Sequence, residues 1–319
     1  MKNLIVSASP HLHTKTTTQS IMRDVLIALA PATVAGVVFF GFRALMTIVI
    51  CVGSCIVSEF LFNLITKKKQ TVDDLSACVT GLLLALTLPS KVGVWECIVG
   101  SVFAIIVVKC LFGGLGCNFA NPAITARVLL LASFSSTVAG GSHTAFQDVD
   151  AVGSATPLVI LGSEDTSKLP SLIDMLIGNR MGAIGETCAI ALVIGLVYLL
   201  VRKVISWHIP AVYVGSVFVM ALILEGFNFE MALYQVLGGG LLIGAFFLAT
   251  DYVTSPINKL GKAVFAFGCA VFTIIFRYFS SLPEGVSYAI LIMNILSPYI
   301  EKLCAVKPLG KEGKKNEAK

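Results

Sequence analysis

A short polar stretch between two long apolar blocks holds the residues best suited to covalent chemistry. It reads Asp148-Val-Asp-Ala-Val-Gly-Ser-Ala-Thr-Pro157 and places Thr156 directly before a proline. Three interpretations are open. The stretch is a plain turn, since small residues and Pro suit any loop, or it is a phosphate nest in which Gly153 and Ser154 present backbone N–H groups to an anion. In the third, the Thr156 hydroxyl is esterified to a phosphate, and the two aspartates hold the metal that such a transfer needs.

A glycine-rich turn before another apolar block is a second candidate site. It reads Gly113-Gly-Leu-Gly-Cys-Asn-Phe-Ala-Asn-Pro122, and its glycines allow the backbone to approach a ligand closely. Its polar side chains are Asn118 and Asn121. Arg127 follows within the apolar block, where a charge is a functional candidate unless its side chain reaches the membrane surface. A tight turn without a ligand is the alternative.

Two acidic residues in apolar surroundings are candidates for ion coupling. Glu59 lies within an apolar block, near Cys55 and Asn63 at helical spacing, and Asp251 ends a later block. Ionisable groups inside a membrane are expensive and usually functional, although a solvated position at the membrane rim is the alternative for Asp251. The nine cysteines show no C-x-x-C pair and no zinc or iron–sulfur spacing, so we predict no metal site and no catalytic residue in this chain.

The composition indicates that these residues lie in a membrane protein. The 319 residues are 56% hydrophobic and only 13% charged, about half the charge of a soluble domain. The apolar blocks are about 20 residues long, which is the length needed to cross a membrane, and we expect no cleaved signal peptide. The net charge of +5 does not predict a nucleic-acid partner, because the basic residues cluster beside the block ends.

The blocks predict an all-α polytopic membrane protein with about ten transmembrane helices. Most of the 23 Lys and Arg residues flank one set of block ends, which predicts that both termini are cytoplasmic. The predicted helices cover residues 22–41, 44–65, 75–88, 94–112, 122–139, 183–201, 209–225, 231–249, 262–280 and 284–303. The predicted organisation is a five-helix half (1–139), an extracytoplasmic loop (140–182), a second five-helix half (183–304) and a basic cytoplasmic tail (305–319).

The two halves resemble each other, which predicts an internal duplication. Residues 100–109 resemble 268–277, and residues 81–86 resemble 240–245. Five helices per half is an odd number, so the halves form an inverted repeat, whose site is expected near the membrane midplane between broken helices. The third helix, ending at Pro89, and the eighth, ending between Asp251 and Pro256, are the candidates. Prolines that merely end two helices are the alternative.

Three motifs give the chain a resemblance to a known family. They are the stretch at 150–158, the glycine-rich turn at 113–122 and Ala249-Thr-Asp-Tyr-Val-Thr-Ser-Pro256. Together they resemble the D subunits of the Rnf electron-transport complex, which are related to the B subunit of the sodium-pumping NADH:quinone oxidoreductase. The resemblance covers nearly the whole chain, and its length is closer to the Rnf members.

The resemblance implies that Thr156 carries FMN through a phosphoester, installed by a flavin transferase outside the cytoplasm. The charge pattern also places this loop outside. The family pattern has Ser or Thr three residues before the acceptor, where this chain has Gly153, so Ser154 is an alternative acceptor. The resemblance further implies a flavin-contacting region at Asn118 and Asn121, which Arg127 could join, and it leaves open a second, non-covalent flavin such as riboflavin.

The predicted function is a flavin-carrying electron-transfer subunit of a complex that moves Na⁺ or H⁺ across the bacterial cytoplasmic membrane, with ferredoxin:NAD⁺ oxidoreductase activity. The chain has no dinucleotide-binding fingerprint and no cluster-binding cysteines. The remaining redox sites are therefore expected in partners, including an extracytoplasmic FMN-bearing subunit and iron–sulfur subunits. A small-solute channel or transporter with the same repeat and no flavin is the alternative, and a scaffold without electron transfer is a third possibility.

Overall fold

The computed structural model describes residues 17–139, 141–144, 156–162, 169–280 and 285–305. Regular structure over these residues is helical, apart from one isolated bridge between Ser142 and Gly182. The first half contains α1 (Thr18–Phe40), α2 (Phe42–Ile65), α3 (Ser76–Thr87), α4 (Val94–Val102, continued as a π-helix over Phe103–Cys110), α5 (Pro122–Ser133) and α6 (Ser135–Val138). The connecting region contains α7 (Pro157–Leu161) and α8 (Leu172–Ile177). The second half contains α9 (Ala189–Val201), α10 (His208–Leu224), α11 (Phe229–Leu237), α12 (Leu241–Leu248), α13 (Lys259–Phe279) and α14 (Val286–Leu303).

Each segment predicted to be helical contains helix in the structure, although three differ from the prediction in form. The segment at 183–201 becomes helical only at Ala189, and the one at 122–139 is interrupted at Phe134. The segment at 231–249 is two helices, α11 and α12, which meet at an angle of 63°. This bend falls at Gly238–Gly240, a run of residues that helices tolerate poorly.

Three helices, α1, α2 and α13, are long and apolar enough to cross a membrane, and the bent pair α11–α12 makes a fourth if it forms one span. Other apolar helices are shorter: α3 has 12 residues, about 18 Å of helix. The all-helical prediction is therefore confirmed for the described residues, and the spans agree with a membrane protein. Ten spans, the inverted repeat and the orientation remain predictions.

Gly41 reverses the chain between α1 and α2. Its φ of 67° and ψ of −152° fall in a backbone region that essentially only glycine adopts. Ile21, near the start of α1, lines the same cavity as Ser76, while Glu59, near the end of α2, is linked to Ser76 through Lys109. The two helices therefore begin and end at the same side of the bundle and run antiparallel.

We expect Gly41→Ala to destabilise the protein by about 1–3 kcal/mol through backbone strain alone. An added methyl group at Gly41 would contact nothing within 4 Å, so steric overlap contributes nothing. Gly53, in the interior of α2, is equally open, and Gly53→Ala should be neutral or stabilising by about 1 kcal/mol. Apparent melting temperatures in detergent measure both effects, and equal shifts for the two variants would contradict the strain argument.

Close backbone contact joins the two halves of the molecule. A methyl group added at Gly195 of α9 would approach the Ala28 carbonyl oxygen of α1 to 2.3 Å, so the glycine permits the helices to touch. At the end of this contact, the carboxylate of Asp24 accepts hydrogen bonds from Tyr198 and Arg202. Asp24 contacts Arg202, whereas the later residue Ala28 contacts the earlier residue Gly195. The two helices α1 and α9 therefore run antiparallel.

The two short helices α3 and α12 form the centre of the bundle. Nearly every residue of α3 and every residue of α12 is buried, which is typical of a helix that is apolar on all sides and surrounded by others. The longer helices α1, α2 and α13 each expose an apolar face. The loops that follow α4 and α12 thus come together beside the ends of these central helices, and they hold the polar residues described next.

Candidate functional site

The glycine-rich turn and the segment after α12 meet in one cavity. Asn118, Asn121 and Asp251 all line it, although Asp251 is far from the other two in sequence. The space measures about 780 Å³ including its open mouth, and its other walls are mostly apolar. The structure thus brings together three of the residues that the sequence analysis singled out. We call this space the Asn118 cavity.

The two asparagines of this cavity have different surroundings. The Asn121 side-chain oxygen accepts hydrogen bonds from the N–H groups of Ala123 (3.0 Å) and Ile124 (3.3 Å), which caps α5, and its amide nitrogen donates to the Leu248 carbonyl. Asn121 therefore ties α5 to α12. The Asn118 side-chain oxygen is buried and has no hydrogen-bond partner among the described residues. An unpartnered buried acceptor is costly, so Asn118 is the residue here most suited to a ligand's donor.

Asp251 lies in the wall of the Asn118 cavity. Its carboxylate accepts hydrogen bonds from the Thr254 hydroxyl (3.3 Å) and from the N–H group of Val253 (3.4 Å). Burial raises the pKa of the Asp251 carboxyl, and these hydrogen bonds offset that rise only in part. The carboxyl therefore keeps its proton to a higher pH than an exposed aspartate does.

Glu59 belongs to a separate buried cluster. Both of its carboxylate oxygens lie 2.9 Å from Lys109 Nζ, and the two side chains are only 1% and 2% exposed. Lys109 also donates to the Ser76 hydroxyl at 2.6 Å, and Thr71 donates to Glu59 at 2.6 Å. In the sequence, Lys109 stands near the end of an apolar block, as topology-determining basic residues do. The structure places it in a buried ion pair that also borders the Asn118 cavity.

Arg127 is buried within the protein, with 4% of its surface exposed. Its guanidinium donates to the carbonyl of Thr87, the last residue of α3. A cation at this end of a helix interacts favourably with the helix dipole and with the carbonyls left without intrahelical partners. Arg127 does not line the Asn118 cavity, and its guanidinium contacts the end of the central helix α3.

Thr156 stands at the beginning of α7, with Pro157 as the first helical residue. Proline suits that position because its N–H group would have no helical partner there. The Thr156 side chain is 5% exposed, and its hydroxyl makes no capping hydrogen bond and has no other partner among the described residues. Ser154, the alternative acceptor, lies outside the described residues, as do the two aspartates of this stretch.

A second cavity of about 560 Å³ adjoins α7. Leu158 and Leu161 of α7 form one wall, and Arg277 is the cationic residue in its lining. The Arg277 guanidinium donates to the carbonyls of Gln235 and Gly238. We call this space the Arg277 cavity. No residue lines both the Arg277 cavity and the Asn118 cavity, so the structure shows two separate candidate sites.

Sequence reasoning missed the polar residues of the Arg277 cavity. Arg277 entered the sequence analysis only as the last residue of the repeat at 268–277, and Glu225, Gln235 and Tyr278 were not noted. Tyr278 donates to Glu225 at 2.5 Å, across the end of the α10–α13 contact. No motif signals this group, because its members come from three different helices.

Comparison with known proteins gives a consistent result. A model of the NQR2, RnfD, RnfE family matches residues 5–310. The chain is 42% identical to the D subunit of the Na⁺-translocating ferredoxin:NAD⁺ oxidoreductase complex of Acetobacterium woodii, over 99% of this chain and 98% of that protein. It is 38% identical to the D subunit of the proton-translocating ferredoxin:NAD⁺ oxidoreductase complex of Clostridium ljungdahlii, over 94% and 95%. It is 35% identical to the D subunit of the ion-translocating oxidoreductase complex of Halorhodospira halophila, over 92% of each chain.

Proposed function

Since this chain belongs to the NQR2, RnfD, RnfE family, we propose that it is the flavin-carrying subunit of an ion-translocating ferredoxin:NAD⁺ oxidoreductase complex, with FMN esterified to Thr156. It is one subunit of an oxidoreductase and not a complete enzyme. The electron donors and acceptors on either side of it would be an extracytoplasmic FMN-bearing subunit and iron–sulfur subunits. A flavin transferase would act on Thr156 from outside the cytoplasmic membrane.

The Thr156 hydroxyl is the observation that carries this proposal. A buried hydroxyl without a hydrogen-bond partner costs about 1–3 kcal/mol, and it has no structural role as a helix cap here. A free hydroxyl needs a partner both as a donor and as an acceptor. An esterified oxygen has no proton to donate, so it no longer needs an acceptor nearby. The group would lie beside the Arg277 cavity, where Arg277 and Gln235 offer polar contacts and Leu158 offers an apolar one. FMN held there would supply one-electron chemistry at a fixed position.

The Asn118 cavity is proposed to hold the second, non-covalent flavin, such as riboflavin. Its size is within the range of small-molecule sites, and like them it combines apolar walls with a few polar groups. Asn118 provides an unpartnered acceptor, and Asn121 is held rigidly by its capping bonds. These residues would orient a ring system between α5 and α12.

Asp251 and Glu59 are proposed to take part in ion coupling. Asp251 borders the Asn118 cavity directly, and Glu59 reaches the same cavity through Lys109. A carboxylate beside a redox site can bind a cation or proton whose affinity follows the charge nearby. Of the two, Asp251 has no cationic partner among the described residues, which leaves its carboxylate available for an ion.

We expect Asp251→Asn to lower redox-driven ion uptake about tenfold or more, with stability changed by less than about 1 kcal/mol. Asparagine keeps the size, can accept from the Val253 N–H group through its oxygen and can donate to the Thr254 hydroxyl through its nitrogen, but it cannot carry charge. Because the pKa of Asp251 is raised, ion binding by the parent carboxylate weakens as pH falls, and the variant should lose this pH dependence. Uptake of radioactive sodium or of protons by proteoliposomes that contain the whole complex measures this. Glu230→Gln, an exposed position, is the control, and equal uptake by both variants would exclude the role.

Mass spectrometry of the peptide that contains Thr156 tests the central proposal. The chain should be purified from cells that also produce a flavin transferase, and the peptide mass should exceed the sequence mass by FMN less one water. Fragmentation then assigns the group to Thr156 or Ser154. An unmodified peptide would overturn the flavin proposal and favour the solute channel.

A further inference from the structure

A third cavity lies beside the start of α2, where the segment that precedes α4 crosses it. It measures about 650 Å³, and its walls include the apolar side chains of Phe42, Met46, Ile50 and Val92. Two cationic residues, Arg43 and Lys91, also line it. Neither the proposed flavin sites nor the ion-coupling residues involve this space, which we call the Arg43 cavity.

Within the part of the chain that the structure describes, no carboxylate balances the charge of the Arg43 cavity. No carboxylate is among its lining residues, and neither Arg43 nor Lys91 makes a side-chain ion pair or hydrogen bond with a described residue. Glu96, in the first turn of α4, accepts from the Gly93 N–H group (3.0 Å) and the Thr137 hydroxyl (2.9 Å). The cavity therefore offers two positive charges to an external anion.

The Arg43 cavity lies at the ends of two long apolar helices, where a membrane interface is expected. It adjoins the Gly41 turn, which ends two long apolar helices on the same side. Trp95, next to the lining residue Val94, is 69% exposed, and exposed tryptophans are enriched at the level of lipid headgroups. Phe42 and Met46 are exposed as well, so the apolar wall is open toward the region that lipid chains occupy.

We propose that the Arg43 cavity binds an anionic phospholipid. Its phosphate would lie between Arg43 and Lys91, and one acyl chain would follow Phe42, Met46 and Ile50 along α2. Charge complementarity selects an anionic headgroup, because each Lys or Arg near a membrane surface attracts anionic lipid measurably. The continuous apolar wall selects a lipid over a soluble phosphate, which would gain nothing from it.

Fluorescence quenching by brominated lipids tests this with the full chain. The sequence has two tryptophans, so Trp207→Phe leaves Trp95 as the reporter beside the cavity. In mixed micelles, brominated phosphatidylglycerol should quench Trp95 at about tenfold lower concentration than brominated phosphatidylcholine. Adding Arg43→Gln and Lys91→Gln should reduce this preference to about twofold or less. Equal quenching by the two lipids in the parent, or an unchanged preference in the variant, would overturn the proposal.

A matched control removes the same charge elsewhere. Lys67→Gln with Lys69→Gln acts at the opposite end of α2, where both residues are exposed, and it should leave the preference at Trp95 unchanged. Arg43 and Lys91 are also exposed, so circular dichroism should show an intact fold in every variant. In the whole complex, a photoreactive residue in place of Phe42 should crosslink to lipid. A crosslink to another subunit would show instead that the cavity is a protein interface.

Discussion

Thr156→Ala should remove all covalently bound flavin from the chain. After denaturing electrophoresis, flavin fluorescence of the band should fall to background, because the variant lacks the hydroxyl that is proposed to carry the phosphoester. The fold should persist. The Thr156 hydroxyl makes no capping hydrogen bond, so the usual cost of losing a threonine cap does not apply, and we expect destabilisation below about 1 kcal/mol.

Two further variants make the result specific. Thr156→Ser keeps a hydroxyl at the same place and should retain much of the fluorescence, whereas Ser154→Ala should leave it unchanged. A dark Ser154→Ala band beside a fluorescent Thr156→Ala band would move the attachment point to Ser154. A wild-type band without fluorescence, from cells that contain the transferase, would end the flavin interpretation.

Lys109→Met should destabilise the protein by about 3–5 kcal/mol, a larger loss than we expect for Gly41→Ala or Thr156→Ala. The substitution preserves much of the side-chain volume but leaves Glu59 as a buried carboxylate without its cation. The Lys109 ammonium contacts both Glu59 oxygens at 2.9 Å and also Ser76, so the substitution removes the cation that both oxygens contact. Apparent melting temperature in detergent, followed by intrinsic fluorescence, measures the effect.

A double-variant cycle separates this from general packing loss. Adding Glu59→Gln to Lys109→Met removes the stranded charge and should recover a large part of the stability, because neutral replacement of both partners is far less costly than loss of one. Lys69→Met, at an exposed position beyond α2, should have little effect. Similar melting temperatures for Lys109→Met and Lys69→Met would refute the role of the ion pair.

The positions of the helices were largely predictable because the helices are uniformly apolar and separated by polar residues. The prediction of 44–65 agrees with the observed α2, Phe42–Ile65, since Gly41 and the lysines after the helix mark its ends. The same uniformity hid the internal irregularities. The π-helix at Phe103–Cys110 and the bend between α11 and α12 change backbone geometry without changing the hydrophobic pattern.

The candidate sites were predictable residue by residue but not as groups. Asn118, Asn121 and Asp251 each belong to a conspicuous motif, and only the packing of α5 against α12 shows that they share a cavity. Lys109 has the same sequence signature as a topology-determining lysine, and its burial depends on Glu59, fifty residues earlier. Partners on different helices cannot be paired from their spacing.

If Thr156 is esterified as proposed, its burial sets an order of events in biogenesis. A side chain that is 5% exposed leaves a second protein no room to work, and α7 is held by Leu158 against Gly238 and Gly239. If the ester forms as proposed, the transferase must reach the newly inserted chain before this short helix docks. A polypeptide that folds before it meets the transferase could then no longer be flavinylated, and restoring the flavin supply afterwards would not change this.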